Sequence, residues 1–286
     1  MKRLAIIGYP IGHTLSPAMY NAAFPEMGID ATFEVWATPP QNLPAAIERV
    51  RGQDVLGICV TVPHKQTVMG LIDAIDPTAA AVGAVNCIVK GDDGRLTGHN
   101  TDRYGFSRSL REAGCQPEGM KVVMLGAGGS AHAVAYALAE AGVRSLAIAN
   151  RSRSRLEETL EHIEASAPRP ILLEPLGWQD ESVTAACASA DLIVNCTSVG
   201  MDGSAGAGES PLRPGDLREN VWVYDLVYRP LETPLLRQAR EAGARPVAGL
   251  EMLIYQAVEC LRLWTGREAP VDIMRKAAYD GLQVKE

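Results

Sequence analysis

No apolar run in this 286-residue chain approaches the length of a membrane span, so a helical transmembrane protein is not expected. Positive charge is in short supply: 27 Lys and Arg stand against 34 Asp and Glu, a formal net charge of −7. That balance argues against a nucleic-acid partner or an anionic membrane surface. Metal-ligand spacing is missing too. The six cysteines (Cys59, Cys87, Cys115, Cys187, Cys196 and Cys260) form no C-x-x-C or comparable pattern, so no metal is expected. Several lie inside apolar segments such as "GICVTV" and "IVNCTS", where a free thiol packs as a small hydrophobe. The pattern is that of a reduced, cytoplasmic protein. Internal repeats and low-complexity tracts are absent. The opening "MKRLAIIGYPIGH" is apolar only briefly, is broken by Gly8, Pro10 and His13, and reads as a first strand and loop rather than a signal peptide.

What is there is an α/β rhythm. With 47% hydrophobic and 21% charged residues, the chain can bury one large core or two smaller ones. Short β-like runs at Leu4–Gly8, Thr32–Trp36, Val55–Val62 and Asn86–Val89 are separated by helical stretches around 17–24, 42–51 and 65–75. A second set begins at 121: strand Val122–Leu125, helix 130–141, strand Ser145–Ala149, helix 152–165, then strands Ile171–Glu174, Leu192–Asn195 and Val221–Tyr224. This is the rhythm of a doubly wound parallel sheet. "AGCQPEGM" (113–120) reads as a junction, "GMDGSAGAGESP" (200–211) as a mobile surface loop, and the segments after 249 as two closing helices.

In "GICVTVPHKQTVM" a β-branched run, Ile58–Val62, stops at Pro63 and passes to Lys65. The ordinary reading of such a lysine is a solvated surface side chain. The predicted helix beginning at 65 would put this one at a positive helix end, an unfavourable place for a cation and a useful one for a group that exchanges protons.

"VVMLGAGGSAHAVAYALAEAG" is a strand, a glycine turn and an apolar-striped helix. Gly126 suits the tight turn, and Gly128 and Gly129 let the backbone approach a pyrophosphate at the helix N-terminus. The next strand runs into "NRSRSR", with three arginines and no acid where a ribose 2′-hydroxyl would call for one. NADP(H) is the expected cofactor; a plain basic patch at a helix start is the other reading. Four further loops are polar where strands turn out. "GHTLSPAMYN" offers Thr14 and Ser16, "AVGAVNCIV" Asn86, "LTGHNTDRYGF" Asn100, Thr101 and Asp102, and "YDLVYRPLETP" Tyr228. Ser16 and Asp102 are equally suited to capping a helix. Hydroxyls and amides on several loops suit a small polyhydroxylated carboxylate.

The ordered motifs "GHTLSPAMYNAAF", "VTVPHK", "AVGAVNCIV", "GHNTD", "LGAGGSAHA", "NRSRSR", "VNCTSVGM", "YDLVYRP" and "GLEMLIYQA" run over essentially the whole chain, which resembles the shikimate dehydrogenases. The resemblance implies NADPH-dependent, reversible reduction of 3-dehydroshikimate to shikimate in aromatic amino-acid biosynthesis. It implies a substrate domain of residues 1–101 plus 249–286 and an inserted Rossmann-like NADP-binding domain, 102–248, with a cleft that closes on substrate. Carried over by position, Lys65 is the proton donor and acceptor, paired with Asp102. Thr14 and Ser16 hold the substrate carboxylate, with Tyr228 nearby, and Thr61, Asn86, Asp102 and Gln256 bind ring hydroxyls. Gly126, Ala127, Gly128, Gly129 and Ser130 take the pyrophosphate, and Asn150, Arg151 and Arg155 the adenine-ribose phosphate. Thr197, Val227, Gly249 and Met252 lie along the nicotinamide.

Two positions depart from the commonest family pattern: Thr14 stands where serine is usual, and Arg103 and Tyr104 follow "NTD" where glycine is usual. Thr14 keeps the hydroxyl but stiffens χ1. Arg103 either adjusts affinity for an acidic substrate or faces solvent. Relatives that use quinate often take NAD and carry an acid where this chain has Arg151, so "NRSRSR" favours shikimate with NADP; a quinate/shikimate dehydrogenase of broader use is the alternative. A non-catalytic shikimate-binding sensor is a third reading, against which the intact pair and glycine turn both speak. Small molecules are the only partners expected, and the surface permits a monomer or a homodimer.

Overall fold

The computed structural model describes residues 1–12, 14–178 and 180–283, so His13 of the first polar motif lies outside the described residues. The chain forms two compact units. One comprises Met1–Gly105 and the segment from Leu253 onward; the other is Phe106–Met252.

The first unit contains β1 (Lys2–Gly8), α1 (Ser16–Glu26), β2 (Ala31–Ala37), α2 (Leu43–Val50), β3 (Val55–Val60), β4 (Ala74–Ile75), α3 (Pro77–Val82), β5 (Cys87–Lys90) and β6 (Leu96–His99). The chain crosses to the second unit within α4 (Asp102–Glu112). The six strands form one mixed sheet in the order β2-β1-β3-β5-β6-β4, in which β3/β5 and β5/β6 are antiparallel. Its core includes Ile7, Ile47, Ile58, Val60, Val68, Ile88 and Leu96, all nearly or fully buried.

Two sequence expectations fail here. The helix expected over 65–75 is a 3-10 turn, Thr67–Leu71, followed by β4. Gly70 is a poor helix former, and the Asp73 carboxylate is taken by tertiary partners, the Arg51 guanidinium (2.8 and 3.0 Å) and the Leu96 N–H (2.8 Å). The strand expected to reach Val62 ends at Val60, and Val62 is 65% exposed. Neither β4 nor β6 was expected from sequence.

The second unit adds β7 (Lys121–Leu125), α5 (Gly129–Glu140), β8 (Ser145–Ala149), α6 (Arg153–Ser166), β9 (Leu172–Leu176), α7 (Glu181–Ser189), β10 (Leu192–Asn195), β11 (Trp222–Asp225), α8 (Pro234–Glu241) and β12 (Arg245–Ala248). Its sheet is wholly parallel, in the order β12-β11-β10-β7-β8-β9. This is the doubly wound order, with the chain reversing direction across the sheet between β7 and β10. Both faces are covered, so the strands read as unbroken apolar runs. Val122 and Met124 pack with Leu146, Ile148 and Val194 on one face, while Val123 and Leu125 pack with Ala147, Ala149 and Ile193 on the other. The expected loop over 200–211 is folded into consecutive turns held by bonds such as Gly200 N–H to Gly206 O (2.9 Å) and Asp202 N–H to Arg229 O (2.9 Å). The chain returns to the first unit within α9 (Leu250–Thr265) and ends in α10 (Val271–Gln283), which packs on α1.

In β3 a side chain at Gly57 would meet the Ile88 carbonyl oxygen and the Trp264 indole, whose N–H donates to that same oxygen at 3.0 Å. We expect Gly57→Ala to cost about 2 kcal/mol, the usual range for overpacking. Urea unfolding followed by tryptophan fluorescence measures this, and an unchanged midpoint would contradict the close packing of Trp264 on β3.

Candidate active site

Four loops of the first unit reach one edge of its sheet. β1 and β3 are parallel, and β6, two antiparallel steps from β3, runs the same way. The chain therefore leaves β1, β3 and β6, and starts β5, at the same end. Thr14 and Ser16 follow β1, Thr61 and Lys65 follow β3, Asn86 precedes β5, and Thr101 and Asp102 follow β6. Backbone bonds pin these loops: Thr61 N–H to Ile7 O (2.9 Å), Val85 N–H to Lys65 O (2.8 Å) and Asn86 N–H to His99 O (3.0 Å). The buried His64 ring adds a side-chain tie, with Nε2 2.7 Å from Thr38 O.

Lys65 Nζ donates to Asp102 Oδ2 at 2.6 Å, and the two side chains are only 12% and 7% exposed. Asp102 Oδ1 accepts from Asn86 Nδ2 at 2.8 Å. The same nitrogen lies 2.9 Å from Thr101 Oγ1 and 3.3 Å from Gln256 Oε1, while Asn86 Oδ1 accepts the Thr101 N–H at 2.7 Å. An amide nitrogen carries two hydrogens, so the two shorter contacts take them and Gln256 Oε1 keeps acceptor capacity for another donor. Thr101 Oγ1 in turn lies 3.2 Å from Cys260 Sγ. Asp102 is not the helix cap that its position also allowed. Asn100 Oδ1 accepts the Arg103 N–H at 3.2 Å instead.

Ser16 is likewise no cap: Leu15 stands at that position, without a side-chain bond, and Ser16 opens α1. Thr14 Oγ1 donates to Ser16 Oγ at 3.2 Å and accepts the Ser16 N–H at 3.3 Å, so the two hydroxyls are adjacent. The helix-end argument for Lys65 does not survive, because the element that follows is a five-residue 3-10 turn beginning at Thr67. A carboxylate partner, not a helix dipole, sets the surroundings of this ammonium.

In the second unit the glycine turn sits at the sheet's reversal. Gly126 has φ +101°, and a side chain there would come within 2.9 Å of Thr197 Cγ2 and 3.1 Å of the Cys196 carbonyl carbon. Around Gly128 a Cβ would meet nothing within 4 Å, so the backbone before α5 lies open. The first-turn amides of a helix have no intrahelical acceptor, and Gly129 and Ser130 supply two of them here, with Ala127 leading in from the turn. This cradle fits a dinucleotide pyrophosphate. Asn150 follows β8, with its Nδ2 donating to Ser152 O at 2.9 Å; Arg151 and Arg155 are exposed, and the only arginine of the run with a nearby carboxylate is Arg153, 2.8 Å from Glu157 among the described residues. Two guanidiniums facing solvent beside the cradle fit a 2′-phosphate.

Thr197, Val227 and Gly249 stand at the C-terminal ends of β10, β11 and β12, and the buried Met252 at the first turn of α9. Tyr228 belongs to this unit, three residues beyond β11, and is half-buried; burial pushes its phenol up while the Arg229 charge opposes. Sequence reasoning missed His64, Asn195 and Asp225 as supports of these loops, and it gave Thr101 no role of its own. The available signal was a polar residue at the point where a buried strand stops.

Two predictions come from this geometry. Asp102→Asn removes the negative charge that faces the largely buried Lys65 ammonium, at a cost of roughly 3 kcal/mol. Adding Lys65→Met should recover part of it, so a double-mutant cycle by urea unfolding is expected to show coupling, and additive effects would refute the pair as a stabilising contact. Asp225 is fully buried, and burial pushes its carboxyl up to about 6 against hydrogen bonds from Thr233, Val227 and Asn195 that lower it. Because the folded state holds this proton more tightly, the group's contribution is fully present below about pH 4 and is lost as pH rises through about 6, on the order of 3 kcal/mol. Asp225→Asn should flatten that part of the stability–pH curve, and a variant curve parallel to the wild type between pH 4 and 7 would contradict it.

Three family matches cover the chain in order. Residues 6–88 match the shikimate dehydrogenase substrate binding domain, 110–202 the shikimate / quinate 5-dehydrogenase family and 249–279 the shikimate 5′-dehydrogenase C-terminal domain. The shikimate dehydrogenase (NADP(+)) of Moorella thermoacetica is 45% identical over 280 residues, 98% of this chain and 93% of that protein. A similar fold is seen in shikimate 5-dehydrogenase from Thermus thermophilus in complex with NADP(H) and shikimate, with a TM-score of 0.87, 35% identity, and coverage of 99% of this chain and 100% of that one. Quinate dehydrogenase from Corynebacterium glutamicum in complex with NAD is similar too, with a TM-score of 0.90, 33% identity, and coverage of 98% and 99%. With polar loops gathered on one sheet edge, a glycine cradle at the reversal of the other sheet and relatives of this identity along nearly its full length, the chain belongs to the shikimate dehydrogenase family.

Proposed function

We propose that this protein catalyses the NADP-dependent, reversible reduction of 3-dehydroshikimate to shikimate, the step that family members perform in aromatic amino-acid biosynthesis. The observation that carries the reading is the Lys65–Asp102 pair, set at 2.6 Å among buried polar side chains. Bound NADPH supplies the hydride. The carbonyl that receives it becomes an alkoxide, which needs a proton as it forms. Lys65 Nζ is the donor, and Asp102 holds that ammonium in place and balances its charge. In the oxidative direction Lys65 takes the proton back.

Thr14 and Ser16 hold the substrate carboxylate with their adjacent hydroxyls, and Tyr228 assists. Thr61, Asn86, Asp102 and Gln256 read the ring hydroxyls; Gln256 Oε1 has the acceptor capacity this requires. Gly126 to Ser130 hold the pyrophosphate and Asn150, Arg151 and Arg155 the adenosine phosphate. Thr197, Val227, Gly249 and Met252 border the nicotinamide. The setting is cytoplasmic, with small molecules as the only partners, no nucleic acid, and a monomer or homodimer as the working form. No helix among the described residues is long and apolar enough to cross a membrane.

A second reading, a quinate/shikimate dehydrogenase of broader use, is favoured by the likeness to the Corynebacterium quinate enzyme. Arg151 and Arg155, exposed and without an acidic partner among the described residues, weigh against NAD. Reduced-nicotinamide formation with shikimate and with quinate, each with NADP and with NAD, separates the two. Turnover confined to shikimate with NADP is expected. Comparable turnover of quinate, or a preference for NAD, would install the second reading; binding without turnover would make the protein a sensor.

Within the first reading, Lys65→Ala should lower kcat by roughly 10²- to 10⁴-fold, the range for a lost general acid, with NADPH binding intact. A near-normal kcat would remove Lys65 from the role. Arg151→Ala should raise KM for NADP by about tenfold or more, the worth of a charge-assisted hydrogen bond, and leave KM for NAD unchanged.

A further inference from the structure

Asp225, at the last position of β11, is one of the buried polar groups that the proposed chemistry leaves unused. It is fully buried, as are Asn195 at the end of β10 and Thr233 before α8. Asp225 Oδ1 accepts from Asn195 Nδ2 (2.9 Å) and from the Val227 N–H (3.0 Å), and Oδ2 accepts the Thr233 hydroxyl at 2.6 Å. Asn195 passes the constraint on, since its Oδ1 accepts both the Thr197 N–H (3.0 Å) and the Thr197 hydroxyl (2.7 Å). Thr197 Oγ1 then accepts the Val199 N–H at 3.1 Å.

Two glycines close on the same knot. A side chain at Gly126 would press on Thr197, and one at Gly249 would come within 2.6 Å of the Asp225 carbonyl oxygen. The loops after β7 and β12 therefore press on the same two loops, after β10 and β11, that the Asp225 carboxylate ties together. A carboxylate buried without a cation costs stability that packing alone does not require, since a neutral side chain of the same shape fills the space more cheaply. What it offers is acceptor capacity: two oxygens take three donors from two different loops, which an amide, with one acceptor oxygen, does not match.

We infer that Asp225 is a positioning residue for the nicotinamide end of the cofactor: its carboxylate ties the loop after β10 to the loop after β11 and so sets the places of Thr197 and Val227. The inference rests on the function proposed above, in which those two residues border the nicotinamide. It makes the two ends of the cofactor site separable. The adenosine end is built by the loop after β8, Asn150 to Arg155, which takes no bond from Asp225. Loosening the knot acts on one end and spares the other.

The test uses the full-length protein and Asp225→Asn. NADPH affinity is read by fluorescence titration, and the affinity of adenosine 2′,5′-bisphosphate, a probe of the adenosine end alone, by calorimetry. We expect NADPH affinity to fall about tenfold and kcat roughly 10- to 100-fold, as for a misplaced reactant, with bisphosphate affinity and KM for shikimate unchanged. Equal losses for both ligands would mark a merely structural role and overturn the inference, as would no loss for either. Should Asp225→Asn fail to fold, Thr233→Val, which keeps the shape and removes one donor to Asp225 together with the acceptor of the Leu236 N–H at the start of α8, decides in its place. The same split supports the tie, and its absence overturns it. Wild-type protein that binds the bisphosphate and NADPH but turns over no shikimate would sink the functional reading, and this inference with it, before any variant is made.

Discussion

An ammonium and a carboxylate 37 positions apart in sequence meet at 2.6 Å with little solvent around either. Neither charge is tolerable there alone, because desolvation costs each of them several kcal/mol. The mixed order of the first sheet is what allows the meeting. Had β5 and β6 continued the parallel pattern of β1 and β3, the loop bearing Asp102 would leave from the same edge only after another long crossover. Instead β5 starts at the Lys65 edge, and the antiparallel β5–β6 step, joined by the short turn 91–95, brings the chain back to that edge. Asn86, at the turn of that path, then closes the arrangement by spending one amide hydrogen on Asp102 and the other on Thr101. The carboxylate is thus fixed from both oxygens, and the ammonium is fixed by the carboxylate.

The second unit solves a different problem with the same resource, the C-terminal ends of strands. A wholly parallel sheet covered on both faces has no room for polar groups along its strands. Its polar side chains collect where the strands stop: Asn195 closing β10 and Asp225 closing β11, both fully buried. The reversal of direction between β7 and β10 opens a gap there, and Gly126 fits it because any side chain would collide with the loop after β10.

These two designs were not equally legible from sequence. In the second unit, Ser145–Ala149 and Leu192–Asn195 were located to the residue, since strands buried on both faces leave contiguous apolar runs bounded by turn residues. β12, "RPVA", escaped because it is an edge strand of four residues with one buried position. In the first unit β6, "LTGH", buries only alternate residues, and β4 is two residues long. No local pattern that short distinguishes strand from loop. The helix expected after Lys65 was lost to Asp73, whose bonds to Arg51 and Leu96 are invisible without the fold.

The site residues divide along the same physical line. Residue types and loops were readable: hydroxyls after β1, a lysine after β3, an amide before β5, a carboxylate after β6. Whether they converge is a property of the sheet order, which one sequence does not carry. Capping shows the limit most clearly. Ser16 and Asp102 both occupy positions where a cap is the ordinary explanation, and neither caps its helix; Asn100 takes the role ahead of α4, and Leu15 stands ahead of α1 with no side-chain bond at all. α1, which goes without a side-chain cap, gives up about 1 kcal/mol of local stability. In both places the polar atoms so released face the same edge of the sheet as Lys65, which is where the chain places its other unspent hydrogen-bonding capacity.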